Sequence, residues 1–84
     1  MQPKTPKQFI AEVARAQAAF HRALVAYGRS RDRLEQTTTR AATQRAMLAL
    51  AKSWTRLGDA ARRVGSAFEA CVEDQHRCER EEAV

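Results

Sequence analysis

The residues best suited to chemistry gather near one end of the chain. Cys71, Asp74 and Cys78 fall at i, i+3 and i+7, and Glu69, Glu73 and His76 fall at i, i+4 and i+7. On a helix each set shares one face. Neither set contains a Cys-x-x-Cys pair or a His-Glu-x-x-His motif, and neither supplies four convergent metal ligands by itself. Cysteines seven residues apart on one helix have Cα atoms roughly 10 Å apart, beyond the reach of a disulfide. Both are therefore read as structural thiols on a packed face. A symmetric bond between two chains would need a two-fold axis close to one of them. Glu73 and Asp74 stand four and three residues before Arg77, the spacing of ordinary surface ion pairs.

Other candidates are weaker. His21 follows Phe20 with no serine or cysteine nucleophile in a recognisable relation to it. The segment RLGDAARRVGSAF holds two glycines seven apart, which is not a phosphate-binding loop. Gly58 and Gly65 are instead expected to permit close helix contact beside Leu57 and Val64. No catalytic residue, metal ligand or cofactor is assigned, and the chain reads as non-enzymatic.

The elements that carry these residues belong to a short, basic chain. It has 84 residues and a formal net charge of +5, enough for one small domain, residues 1–84. A chain this short buries too little surface to build a deep core around a conventional active site. Alanine supplies much of its apolar fraction. Alanine favours helix and allows close backbone approach, but it buries little area. Such a chain gains by packing against a second copy or another protein. No apolar run follows the basic residues of MQPKTPKQFI, and no window is apolar enough to span a bilayer. The expected location is the cytoplasm, with signal-independent secretion left open.

Two helices are expected. Thr5, Pro6 and Gln8 form the signature of a helix start: a cap, a first-turn proline and the capping-box partner. Apolar positions then recur at Phe9, Val13, Ala16, Phe20, Leu24, Tyr27 and Leu34, with Arg31 in the same stripe, so helix one spans about 6–35. Gly28 is either an interior residue or a bend. The threonines of EQTTTRAAT place a connection at about 36–40, although one uninterrupted helix is the competing arrangement. Helix two, about 41–80, shows a heptad stripe: Met47, Leu50, Trp54, Leu57, Ala61, Val64, Phe68, Cys71, Gln75 and Cys78. A frayed acidic C-terminus follows. The fold class is all-α: an antiparallel helical hairpin of two long helices with coiled-coil-like packing, assembling into a multi-helix bundle.

Charge is segregated. Residues 66–84 hold six acidic groups and two basic ones, while residues 36–65 hold six basic groups and one acidic. The acidic end of helix two is expected beside the basic start of helix one, where it can steer antiparallel docking. In outline, two helices in a small chain are similar to the secreted helical-hairpin proteins with a Trp-x-Gly turn. Here Trp54 is followed by Thr55 and Arg56 and falls inside helix two, so no family is assigned.

The preferred reading is a protein–protein interaction module: a small adaptor, an assembly or secretion component, or an inhibitor-like accessory protein. It is expected to form a homodimer or tetramer and to bind another protein. Tyr27, Leu48, Leu50, Trp54, Leu57, Val64 and Phe68 are the interface candidates. The alternative is a nucleic-acid-binding accessory protein using Arg40, Arg45, Lys52, Arg56, Arg62 and Arg63. The distribution of arginine discriminates between them. One continuous basic stripe favours nucleic acid, whereas arginines among acidic neighbours beside an apolar patch favour protein.

Overall fold

The structure is a computed structural model that describes residues 4–82. It is all-α, an antiparallel hairpin of α1 (Pro6–Glu35) and α2 (Arg40–Glu82), measuring 68 × 20 × 16 Å. Helix α1 starts as its sequence dictates. The Gln8 amide donates to Thr5 Oγ1 at 3.3 Å, and Gln8 Oε1 accepts from the Thr5 amide at 2.7 Å. Two of the amides left unpaired at the helix start are thereby satisfied. The helix runs unbroken through Gly28, and α2 extends to Glu82, two residues past the expected end.

The connection is tied down by threonine hydroxyls. Thr37 Oγ1 donates to the Leu34 carbonyl at 2.8 Å and lies 2.9 Å from Thr43 Oγ1. Thr39 caps α2: its Oγ1 accepts from the Ala42 amide at 3.1 Å. β-Branched hydroxyl residues disfavour the helix interior and favour such caps, so the break falls where three of them occur together.

The helices meet along two rows of mostly small residues, each with a seven-residue repeat. The α1 row is Phe9, Ala16, Ala23 and Ser30, ending at Thr37 in the turn; the α2 row is Ala46, Ser53, Ala60, Ala67 and Asp74. All are at least half-buried, with Ala60 only 6% and Phe9 only 7% exposed. Ser30 is buried as well, and its hydroxyl lies 3.0 Å from that of Ser53. Each hydroxyl thereby satisfies the other; an unpaired one would cost about 1–3 kcal/mol.

This seam corrects the sequence expectation at six of its ten positions on α2. Leu50, Leu57, Val64 and Cys71 are half-buried as expected, but Met47, Trp54, Ala61, Phe68, Gln75 and Cys78 are exposed. On α1, Ala23 and Ser30 take the inward places expected for Leu24 and Arg31. The reason is steric. Small residues facing one another let the helix axes approach toward the short end of the roughly 8–10 Å range, and a tryptophan or phenylalanine in the middle of the rows would hold them apart; Phe9 enters its row only at the free end, near Asp74. Gly58 and Gly65 play no part in that approach: both are exposed, and a Cβ at either would meet nothing within 4 Å.

Two substitutions test this seam by chemical denaturation. Ala60→Leu overpacks the closest layer and should destabilise the hairpin by about 1–3 kcal/mol. Gly58→Ala meets open space in a helix interior and should stabilise it by about 0.5–1 kcal/mol.

Candidate functional site

With the small rows facing inward, helical geometry sorts the remaining residues onto two opposite faces. The antiparallel arrangement places corresponding rows of the two helices on the same side. One face is apolar. Its inner rows are Val13, Phe20, Tyr27 and Leu34 on α1 and Leu50, Leu57, Val64 and Cys71 on α2, all half-buried. Its outer rows carry Ile10 and Leu24 on α1 and Met47, Trp54, Ala61 and Phe68 on α2, all exposed. Trp54 is 62% exposed although its ring lies against Tyr27, with centroids 5.4 Å apart and planes tilted by 56°. Such a contact contributes about 0.5–1.5 kcal/mol beyond area burial and fixes the indole as a ridge.

Two hollows interrupt this face. One, of about 350 Å³, is lined by Gln17, Phe20, His21, Ala61 and Val64 near mid-rod. The other, of about 260 Å³, lies among Phe9, Ile10, Val13, Phe68 and Cys71 toward the free end. Leu48 stands apart: it is exposed on the outside of α2 and belongs to neither hollow.

The opposite face is basic. Between residues 15–33 and 45–63 its rows hold twelve positions: Arg15, Ala19, Arg22, Ala26, Arg29 and Arg33 on α1, and Arg45, Ala49, Lys52, Arg56, Asp59 and Arg63 on α2. Eight are basic and one is acidic, and that one, Asp59, is paired with Arg62. The eight cations are all exposed. Among the described residues the ion pairs are Lys4–Glu12, Arg31–Glu35, Arg62–Asp59 and Arg77–Asp74, so none of the eight is neutralised.

The structure thus brings Arg45, Lys52, Arg56 and Arg63 together but separates two of the expected companions. Arg62 lies on the outside of α2, bound to Asp59, and Arg40 lies at the turn end. Sequence reasoning missed Arg15, Arg22, Arg29 and Arg33, although three of them carry the seven-residue spacing that marks a common row.

At the free end, Lys4 binds Glu12 at 2.8 Å and stands 5.7 Å from the Phe9 ring centroid. Lys4 is therefore paired to α1, and it also lines a hollow with Glu73 and Asp74 of α2. Cys71 is half-buried beside Phe68, whereas Cys78 is exposed. Cys78 lies level with the first turn of α1, where little remains to cover it, and the expectation of a packed thiol fails there. Among the described residues no three metal-ligating side chains converge, and no helix is long and apolar enough to cross a membrane. No known protein family, curated protein or solved structure matches the chain.

The two thiols should separate by accessibility. In native reduced protein, Ellman's reagent should modify Cys78 before Cys71, and both should react rapidly after denaturation. Cys71→Ala should cost on the order of 1 kcal/mol, and Cys78→Ala much less.

Proposed function

We propose that this chain is a non-enzymatic helical interaction module that works by completing a helix bundle through its apolar face. The observation that carries this reading is the placement of its largest apolar side chains, with Trp54 on the open face rather than between the helices. The accessible surface is 7037 Å² for 9.4 kDa, where a compact monomer of that mass exposes about 5,000 Å². The difference, about 2,000 Å² on one chain, exceeds the roughly 800 Å² that each partner contributes to a standard protein interface.

The occupant we assign to the apolar face is a second copy of the hairpin, set antiparallel to the first. Charge favours that orientation. Residues 28–55, the turn end, carry six basic and two acidic groups, whereas residues 4–15 with 68–82, the free end, carry five basic and seven acidic. A parallel pair would set the basic ends together; an antiparallel pair sets each against an acidic end. Shape favours it too. Trp54 and Phe68 lie seven residues to either side of Ala61, and Tyr27 and Val13 lie seven to either side of Phe20. A two-fold axis beside Ala61 and Phe20 would lay the Trp54 ridge of each copy over the hollow at Phe68, Ile10 and Val13 of the other. The four-helix bundle so formed would act as a small adaptor or assembly component.

Sedimentation equilibrium at micromolar concentration should show a dimer or tetramer. Trp54→Arg should keep its helical circular dichroism and weaken association at least tenfold, or about 1.4 kcal/mol. A wild-type monomer at those concentrations would reject self-association. The wider adaptor role is tested by native-cell pull-down, where a partner should be retained by wild type and not by Trp54→Arg.

A further inference from the structure

The face opposite Trp54 is the larger surprise of the hairpin. Seven arginines and one lysine stand on it, drawn from both helices. Their like charges repel across the face, and helix propensity does not demand them, since lysine, glutamine and glutamate form helix about as well as arginine. Acidic residues are not scarce in the chain, which has ten. Only Asp59 enters the patch, and Arg62, outside it, binds that carboxylate. The cations that do form ion pairs lie off the patch, while those on it are exposed and uncompensated among the described residues.

We infer that this basic face is a binding surface for the phosphate backbone of a double-stranded nucleic acid. The chemistry of the patch selects the ligand class. Arginine presents a planar fork that grips phosphate oxygens in bidentate fashion. Arg15, Arg22 and Arg29 form one line on α1, and Arg56 with Arg63 and Arg45 with Lys52 form two more on α2, each with steps of about 10.5 Å. From Arg15 to Arg33 the patch runs about 27 Å along the rod, the length of roughly eight base pairs at 3.4 Å each.

The rest of the patch excludes competing ligands. Apart from Asp59, its remaining positions are Ala19, Ala26 and Ala49. It offers no aromatic ring on which an unpaired base could stack, as single-strand binders require. It offers no asparagine or glutamine to pair with adenine, and a face 20 Å across is too broad to bring its arginines to guanine edges in a major groove about 12 Å wide, so binding is to the backbone and indifferent to sequence. It has no large apolar group to enter a lipid layer, which sets it apart from an interfacial membrane helix.

The inference stands on the hairpin itself and does not require self-association, though an antiparallel pair joined by the apolar faces would carry one such surface on each side. The test is fluorescence anisotropy of the full chain with 20-base-pair duplexes of DNA and of RNA, each in two unrelated sequences, between about 0.05 and 0.3 M salt. Log affinity should fall with log salt at a slope of about −4 to −7, from roughly −0.9 per phosphate engaged. The two sequences should bind alike. The double variant Arg22→Glu with Arg56→Glu, at exposed positions central to the patch, should lose at least tenfold in affinity at 0.1 M salt and show a shallower slope. Arg40→Glu with Arg80→Glu changes net charge equally but off the patch, and should lose less than threefold. Equal losses in the two double variants would overturn the inference, because net charge alone would then explain binding. So would absence of duplex binding at 0.05 M salt. Binding to phosphatidylserine vesicles that depends on Arg22 and Arg56, without duplex binding, would reassign the face to membranes and overturn it as well.

Discussion

The close approach of α1 and α2 along their small-residue rows governs the rest of the molecule. Ala16, Ala23, Ser30 and Thr37 face Ala67, Ala60, Ser53 and Ala46 layer by layer, and the Ser30–Ser53 hydroxyl pair is the polar member of that series. Because the inward groups are small, each layer buries little area, and no large side chain is fully enclosed. Stability then comes from many thin layers, from helix propensity and from the caps at Thr5 and Thr39 rather than from one thick core. The constraint also fixes where everything else goes. A seam this narrow has no room for Trp54, Phe68 or Phe20, and they are displaced to one flank. The arginine rows occupy the other.

Much of this was legible in the sequence, and the part that was not has a definite physical cause. The helix starts and the turn follow from local chemistry: a capping box and three consecutive threonines. The residues alone leave open whether Gly28 bends α1, since an interior glycine costs only about 1 kcal/mol against alanine. The period itself was also readable. Its phase was not, because hydrophobicity by itself points the largest apolar residues inward. On α2 the rows 46-53-60-67 and 47-54-61-68 differ by one residue, about 100° of rotation, and the second contains Met47, Trp54 and Phe68. Hydrophobicity alone favours the second row; close packing selects the first. The decisive signal was the matching run of small residues at seven-residue spacing in both helices, which only an antiparallel partner makes meaningful.

The same one-residue displacement separates the candidate surfaces. Had Trp54 and Leu24 faced inward, the arginine rows would have rotated with them, and the apolar face would have been spent on the fold. With Ala60 and Ser30 inward instead, a chain of only 84 residues keeps a large apolar surface in reserve. A hairpin this thin, at 20 × 16 Å in cross-section, can therefore present two chemically distinct surfaces a single helix diameter apart.

Those surfaces are not energetically independent. The chain carries a net charge of +5, so bringing two copies together sets positive charge against positive charge. Burial at Trp54, Tyr27 and Phe68 must exceed that repulsion for a bundle to form. The antiparallel arrangement lowers it at the ends, where acidic Glu81 and Glu82 come level with the basic turn, but not at mid-rod, where Arg22, Arg56 and Arg63 remain uncompensated. A polyanion on the outer faces would neutralise this remaining charge. It would thereby favour association, and linkage requires that the associated form bind the polyanion correspondingly more tightly. In such an arrangement the apolar and basic faces would act as two halves of one coupled equilibrium, joined through the narrow alanine and serine seam that holds them on opposite sides.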